Sequence, residues 1–300
     1  MTGEGTTAPP PATEVVLVVA GLGYSGAAVA RDAAAAGWRV AGTTRDPTAA
    51  DPPPPGIARV AFAEAGGAIA SATHLLVTAA PGEGGDPVLA AHGEAIRAAR
   101  RLRWIGYLST TGVYGDRGGG WVEETTPPAP GQDRTRRRLA AERAWAEGFA
   151  GRIAVDVFRV GGIYGPGRSA FDELRAGTAR RTVKPGHAFS RIHRDDIARA
   201  VLAGVRTAPG AGLRVLHLVD DAPEESAVVV EEAARLLGVP PPPAVPFEEA
   251  VRGMSPMARS FWAENRCVAN AATKAALGIA WLYPSWREGL RAILAEEGGA

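Results

Sequence analysis

Gly21, Gly23 and Gly26 stand in a G-x-G-x-x-G spacing, which suits the cradling of a dinucleotide pyrophosphate against the start of a helix. Gly21 permits a tight turn, Gly23 lets the backbone approach the phosphates, and Gly26 lets the helix sit close to the preceding strand. The unsatisfied N–H groups and the dipole of the helix start favour negative charge there. Tyr24 and Ser25 fall in the same loop and complete the candidate cofactor-contacting set. Further on, Thr43, Thr44 and Arg45 precede Asp46. An arginine suits the 2′-phosphate of NADP, with Thr44 as an added donor, whereas a carboxylate suits the ribose hydroxyl of NAD. Arg45 favours NADP, and Asp46 keeps NAD open.

A second chemical stretch is RTRRRLAAE, Arg134 to Glu142. Positions 134 and 138 lie one helical turn apart on one face, with Glu142 a turn further. Two guanidinium groups so placed suit a carboxylate or phosphate on a substrate. The plain alternative is a solvated helix start, with an Arg138–Glu142 surface ion pair contributing roughly a few tenths of a kcal/mol. A guanidinium has no acceptor and a pKa above about 12, so Arg134 exchanges no proton with a substrate near neutral pH.

These residues need elements to position them, and the chain supplies strands and helices in alternation. Val15–Ala20 is a β-branched apolar run without polar alternation, as expected of a central parallel strand. The glycine loop and an alanine-rich helix follow, ended by Gly37, and Trp38–Thr43 is a second strand. Strands over 57–62, 74–78, 104–109 and 153–160 alternate with helices over 87–101 and 135–149. That order predicts an α/β fold with a doubly wound parallel sheet. Later, RTVKPGHAFSRIH reads as a strand or hairpin, Val215–Val219 as a late strand, and PPPPAVP (240–246) as a linker. The expected division is a polar tail over 1–13, expected to be disordered, and a Rossmann core over 14–168. Segments near 192–220 return to that core, and 169–191 with 221–300 form a small substrate-side subdomain. The prolines of 51–56 read as a surface loop.

Bulk properties narrow the function classes. The 300 residues are 46% hydrophobic and 22% charged, enough for a large core. A net charge of +1 provides no field for nucleic acid or an anionic membrane. The single cysteine, Cys267, excludes an internal disulfide or a multi-cysteine metal site. With no metal-ligand spacing, no leader pattern in residues 1–13 and no long apolar run, the expected setting is the cytoplasm.

GLGYSG, YLSTTGVYGD, RRRLAAE, FRVGGIYGPGR and RIHRDDIARAV occur in one order, and YPSWREGLRAIL follows near the C-terminus. Together they make residues 14 to 295 resemble the extended and atypical short-chain dehydrogenase/reductases, the NAD(P)-dependent epimerase/dehydratase-like proteins. The resemblance places an active-site hydroxyl on Thr110, with Ser109 and Thr111 as near alternatives. It also places Arg134 and Arg138 in the slots of a catalytic Tyr-x-x-x-Lys, where Arg138 would hold the nicotinamide ribose. No Tyr-x-x-x-Lys occurs, because the two lysines, Lys184 and Lys274, follow Arg180 and Asn270 by four residues. Thr111-Gly112 replace the acid–base pair of the dehydratase members, and Phe189 stands where sugar-nucleotide members carry an arginine, leaving Arg191 to substitute. Tyr114, Tyr164, Glu123, Glu124, His187 and His193 are further candidate proton donors, and Asp195 or Asp196 is expected to cap a helix.

Two functions follow. One is an NAD(P)-dependent oxidoreductase or epimerase-like enzyme acting on a small molecule, an anion being suited to Arg134 and Arg138. The other is a catalytically inactive dinucleotide-binding sensor or scaffold. The resemblance further implies a homodimer through two long helices.

Overall fold

A computed structural model describes residues 14–46 and 55–298. The polar tail over 1–13 and most of the proline loop at 51–56 lie outside the described residues. Seven strands form one parallel sheet: β1 (Val16–Ala20), β2 (Arg39–Thr44), β3 (Ile57–Ala61), β4 (His74–Val77), β5 (Trp104–Thr110), β6 (Ala154–Val160) and β7 (Gly212–Leu218). Their order across the sheet is β3-β2-β1-β4-β5-β6-β7, the doubly wound order expected from the alternation. The strand order reverses between β1 and β4. That switch point opens a crevice at the carboxyl ends of the strands, where such sheets bind ligands.

The uniform apolar character of β1 has a direct cause. Successive side chains point to opposite faces, and both faces are covered. Leu17 and Val19 pack with α1 (Tyr24–Ala35) and with Ile197, Ala200 and Val201 of a later helix, Arg194–Arg206. Val18 and Ala20 pack on the other face with Val88 and Ile96 of α2 (Pro87–Ala98) and Trp145 and Phe149 of α3 (Asp133–Phe149). Burying a Val or Leu side chain completely contributes about 1.5–3 kcal/mol, so a polar residue at either parity would be costly. The Arg194–Arg206 helix (α4) packs against α1. A separate apolar cluster joins Tyr164, Phe171, Val229, Trp286 and Leu290 beside the sheet.

Three expectations are corrected. The 181–193 segment forms no hairpin with itself. Arg181–Val183 pairs with Ala244–Pro246, Ala188–Phe189 with Glu224–Glu225, and Arg191–His193 with Gly162–Tyr164. The proline-rich 240–246 segment is therefore part strand rather than only linker; a two-stranded pairing tolerates Pro246 because an edge position needs no N–H. The helix over 194–206 is capped by neither aspartate: His193 accepts from the Asp195 N–H at 3.2 Å. Asp196 instead accepts from the N–H groups of Leu282 and Tyr283.

Candidate functional site

At the end of β1 the chain turns on Gly21, whose φ of +118° only glycine adopts readily. Thr78 on the neighbouring β4 edge donates its hydroxyl to the Gly21 carbonyl at 2.6 Å, and a Cβ at Gly21 would sit 2.4 Å from that hydroxyl oxygen. A Cβ at Gly26 would lie 2.1 Å from the Gly21 carbonyl oxygen, and close packing of α1 on the turn requires its absence. Gly23 differs. Nothing lies within 4 Å of where its Cβ would be, and it stands at an α1 start with no side-chain cap. The turn thus exposes free N–H groups to open space, which fits a pyrophosphate.

That space is a cavity of about 910 Å³ lined by Gly21, Gly23, Thr43, Thr44, Arg45 and Arg59 among others. Thr44 donates its hydroxyl to the Asp46 carbonyl at 2.6 Å, and Arg45 is exposed at the rim. Arg59 was not visible as a candidate from the sequence. It comes from β3, where the parallel register sets it opposite Gly42. Ser25 is buried under the turn, and Tyr24 points away from this cavity: its hydroxyl donates to the Pro166 carbonyl at 3.0 Å. The guanidinium groups of Arg168 and Arg194 lie 5.6 and 5.2 Å from the Tyr24 ring centre.

A second cavity of about 360 Å³ opens at the end of β5. Thr110, Thr111 and Arg134 line it with Phe189, Ser190, Phe261, Trp262, Glu264 and Arg266. Thr110 Oγ1 accepts from the Gly112 N–H at 3.1 Å, which turns the chain and leaves the hydroxyl proton free to donate. Its neighbour Ser109 is withdrawn from the cavity, donating to the buried Glu142 carboxylate. Arg134 sits in the first turn of α3, which Gln132 and Thr135 close with a capping box. Its Nε donates to Gln132 Oε1 at 3.2 Å, and its guanidinium lies 4.2 Å from the Phe261 ring centre. Burial lowers the Arg134 pKa and Glu264 raises it, with burial the larger effect. Glu264 accepts from Arg266 Nη1 at 3.0 Å, and Arg266 also donates to the Gly115 carbonyl at 2.9 Å.

Arg138 is held elsewhere. It donates to the Leu108 carbonyl at 2.9 Å and the Tyr107 hydroxyl at 3.2 Å, and it does not line the cavity that holds Thr110 and Arg134. The expected Arg138–Glu142 surface pair does not form. Glu142 is buried and takes Arg159 of β6 in a two-pronged pair, Nε–Oε1 at 3.2 Å and Nη2–Oε2 at 2.7 Å. Arg159 also donates to the Tyr114 hydroxyl at 2.7 Å, which stands 2.5 Å from His217 Nε2. His217 Nδ1 meets the Ala269 carbonyl at 2.7 Å, so the proton sits on Nδ1 and Nε2 accepts. A polar chain from Ser109 to His217 thus lies buried beneath the cavity.

The remaining candidates sort by place. Glu124 accepts from both the N–H and the hydroxyl of Thr273, away from Thr110, and the Glu123 carbonyl lies 3.2 Å from the Tyr114 hydroxyl, whose proton goes to His217. His187 stacks with Phe189 and Trp262, and burial pushes its pKa down to about 4. His193 is likewise pushed to about 4 and packs on Tyr164 and Tyr283. Arg191 donates to the Phe189 and Glu224 carbonyls at 2.8 Å, and burial lowers its pKa to about 10. Cys267 lies in a two-residue strand beside Trp121, and burial raises its pKa.

The strand order, glycine turn and Thr-bearing strand end can be set beside known proteins. No protein-family model matches the chain. It is 30% identical to protein YeeZ of Escherichia coli K12 over 249 residues, 75% of this chain and 85% of that one. A solved structure of a conserved protein of unknown function from Silicibacter pomeroyi is 42% identical, with a TM-score of 0.84, covering 94% of this chain and 98% of that one. A candidate NAD-dependent epimerase/dehydratase from Methylobacillus flagellatus is 25% identical, with a TM-score of 0.72 over 95% of this chain and 100% of its own. The chain belongs to the short-chain dehydrogenase/reductase superfamily, among its epimerase/dehydratase-like members. A further superfamily relative is 33% identical over 210 residues, 66% of each chain: the 3-diazoavenalumate denitrifying reductase of a Streptomyces species. Among the described residues no helix is long and apolar enough to cross a membrane.

Proposed function

We propose that this superfamily member is an NADP-linked oxidoreductase acting on a small anionic substrate with a planar apolar body. One observation carries the reading: Arg134 stands in the cavity of Thr110, its guanidinium over the Phe261 ring and its Nη groups without a bond to any described residue. A guanidinium so held anchors a carboxylate or phosphate, and the aromatic wall receives the apolar part. Thr110 orients the reacting group through its free hydroxyl proton. Gly21, Gly23 and the α1 start hold the pyrophosphate, and Arg45 takes the 2′-phosphate, Arg59 adding positive charge from the cavity wall. Arg138 braces the last residues of β5. The dinucleotide supplies or accepts the hydride. A reductase among the relatives supports this direction of use.

Titration of the purified chain with NADPH and NADH, repeated on Arg45→Ala, tests the cofactor assignment. NADPH should bind more tightly, and the variant should lose about ten- to a hundredfold of that affinity, the worth of one or two charge-assisted hydrogen bonds. NADH affinity should not move. Equal affinities in the unaltered chain would reject the NADP assignment, and binding of neither nucleotide would reject the enzyme reading.

A further inference from the structure

Position 134 holds a guanidinium where the superfamily's proton donor is expected, so the proton must come from another group. The residues lining the Thr110 cavity narrow the choice. Arg134, Arg191 and Arg266 hold their protons too firmly, and serine and threonine hydroxyls orient rather than exchange. Tyr164 lines the cavity, but its hydroxyl is packed against the C-terminal helix, where a Cβ at Gly289 would lie 2.1 Å from it. Burial raises its pKa further. Glu264 is the carboxylate among the lining residues.

Its surroundings are those of a group built to be used. The Glu264 side chain is 6% exposed. One oxygen, Oε2, takes Arg266; the other, Oε1, is buried with no hydrogen-bond partner among the described residues. A buried carboxylate oxygen left unpaired is costly and marks a place where a ligand or proton belongs. Gly131, just before α3, packs against Oε1, and a Cβ there would lie 3.0 Å from it. The charges facing it are Arg134 from α3 and Arg266 from its own segment. Asp116 acts on Arg266 from behind, and the nearby His187 stays neutral.

We propose that Glu264 is the proton carrier of this cavity, taking a proton on Oε1 when an anionic ligand binds Arg134 and giving it to the substrate atom that gains negative charge. The inference rests on the anionic-substrate reading above. In the free cavity the guanidinium groups of Arg134 and Arg266 face the carboxylate. An arriving anion offsets Arg134 and adds a like charge nearby, both of which favour the protonated acid. The balance is one proton from solvent to Oε1 for each anion bound. In a reduction by a reduced nicotinamide dinucleotide, the substrate gains a hydride at one atom and the Glu264 proton at its neighbour, and the carboxylate is restored.

Calorimetric titration of the full chain with cinnamate, over a pH range of about 6 to 8 and in buffers of different ionisation enthalpy, tests this without turnover. Cinnamate is ionised throughout, and benzenesulfonate serves as a second anion that cannot titrate. The affinity of the unaltered chain should fall by up to ~tenfold per pH unit, with close to one proton taken up per anion. Glu264→Gln, which mimics the protonated acid, should bind with no pH dependence and no proton uptake, at least as tightly as the unaltered chain at the alkaline end of the range. Glu264→Asp should keep the pH dependence, and an NADPH titration confirms that each variant is folded. Binding without proton uptake, or uptake that survives in Glu264→Gln, overturns the role of Glu264 and leaves the anion reading standing. Failure of both anions to bind a chain that still binds NADPH overturns both.

Discussion

The two cavities are built from different parts of the chain. The larger is made by backbone: a glycine turn, an uncapped helix start and the ends of two adjacent strands. The smaller is made by side chains from separate segments, Thr110, Arg134, Phe189 and Glu264 among them. Backbone offers the same N–H groups whatever residue carries them, so such a site depends on the glycines that let a ligand approach. A side-chain site depends on charge and shape, which differ from one chain to the next on the same frame. The difference locates what the fold does in general in one cavity and the individuality of this chain in the other.

The sharpest break of that contrast is beneath the side-chain cavity. Arg159→Met removes the ion-pair partner of the buried Glu142 and should cost about 3–5 kcal/mol in urea unfolding. Replacing both, with Glu142→Leu, should recover most of the loss; a double variant as unstable as the single would show that the pair is not what holds this region. In the backbone cavity the contrast can be drawn between two glycines. Gly26→Ala forces a methyl group against the Gly21 carbonyl and should lose about 1–3 kcal/mol of stability along with NADPH binding. Gly23→Ala points its methyl group into open space, so stability should hold within ~0.5 kcal/mol while NADPH affinity drops about tenfold or more. Equal stability losses in the two variants would contradict the geometry of the turn.

A pH-dependent effect concerns Asp220, just past β7, whose backbone N–H meets the Arg191 carbonyl at 2.6 Å. Burial pushes its carboxyl up from 3.8 to about 7. Between those values the folded chain keeps a proton that the unfolded chain has released. The stability so contributed is full below about 4 and drains as pH rises through 7, by ~1 kcal/mol per pH unit. Asp220→Asn should remove that slope, and denaturation at about pH 5, 6 and 7 on both proteins measures it. At the low end stands Arg136→Ala. Its partner Asp133 is exposed on the same helix that buries Glu142, and the unfolding midpoint should not shift.

These contrasts explain what could be read from residues alone. The parallel, doubly covered sheet was legible because strands alternate with helices and β1 is apolar at both parities, as a strand buried on both faces requires. The glycine turn was legible because its three positions each have a separate steric reason. Thr110 and Arg134 were found through motif resemblance, and they do meet in one cavity. Glu264 and Arg266 were not found: they lie far beyond Arg134 in sequence, and no periodicity or spacing ties an E-N-R triplet to a helix so distant. Glu142 was misplaced for a related reason. Helical spacing pairs it with Arg138, but burial against β6 offers it Arg159, and a buried carboxylate must take the partner that comes in with it.

The pairing of Ala244–Pro246 with Arg181–Val183 bears on the order in which the molecule is completed at the ribosome. Chains fold from their N-terminal side as they are made. All seven sheet strands and the whole backbone cavity are contained before residue 219, whereas Phe261, Trp262, Glu264 and Arg266 come after the proline strand. A nascent chain therefore completes the cavity at the glycine turn before the cavity at Thr110. The late proline strand then ties the incoming segment to 181–183, and the Thr110 cavity is completed only after the sheet.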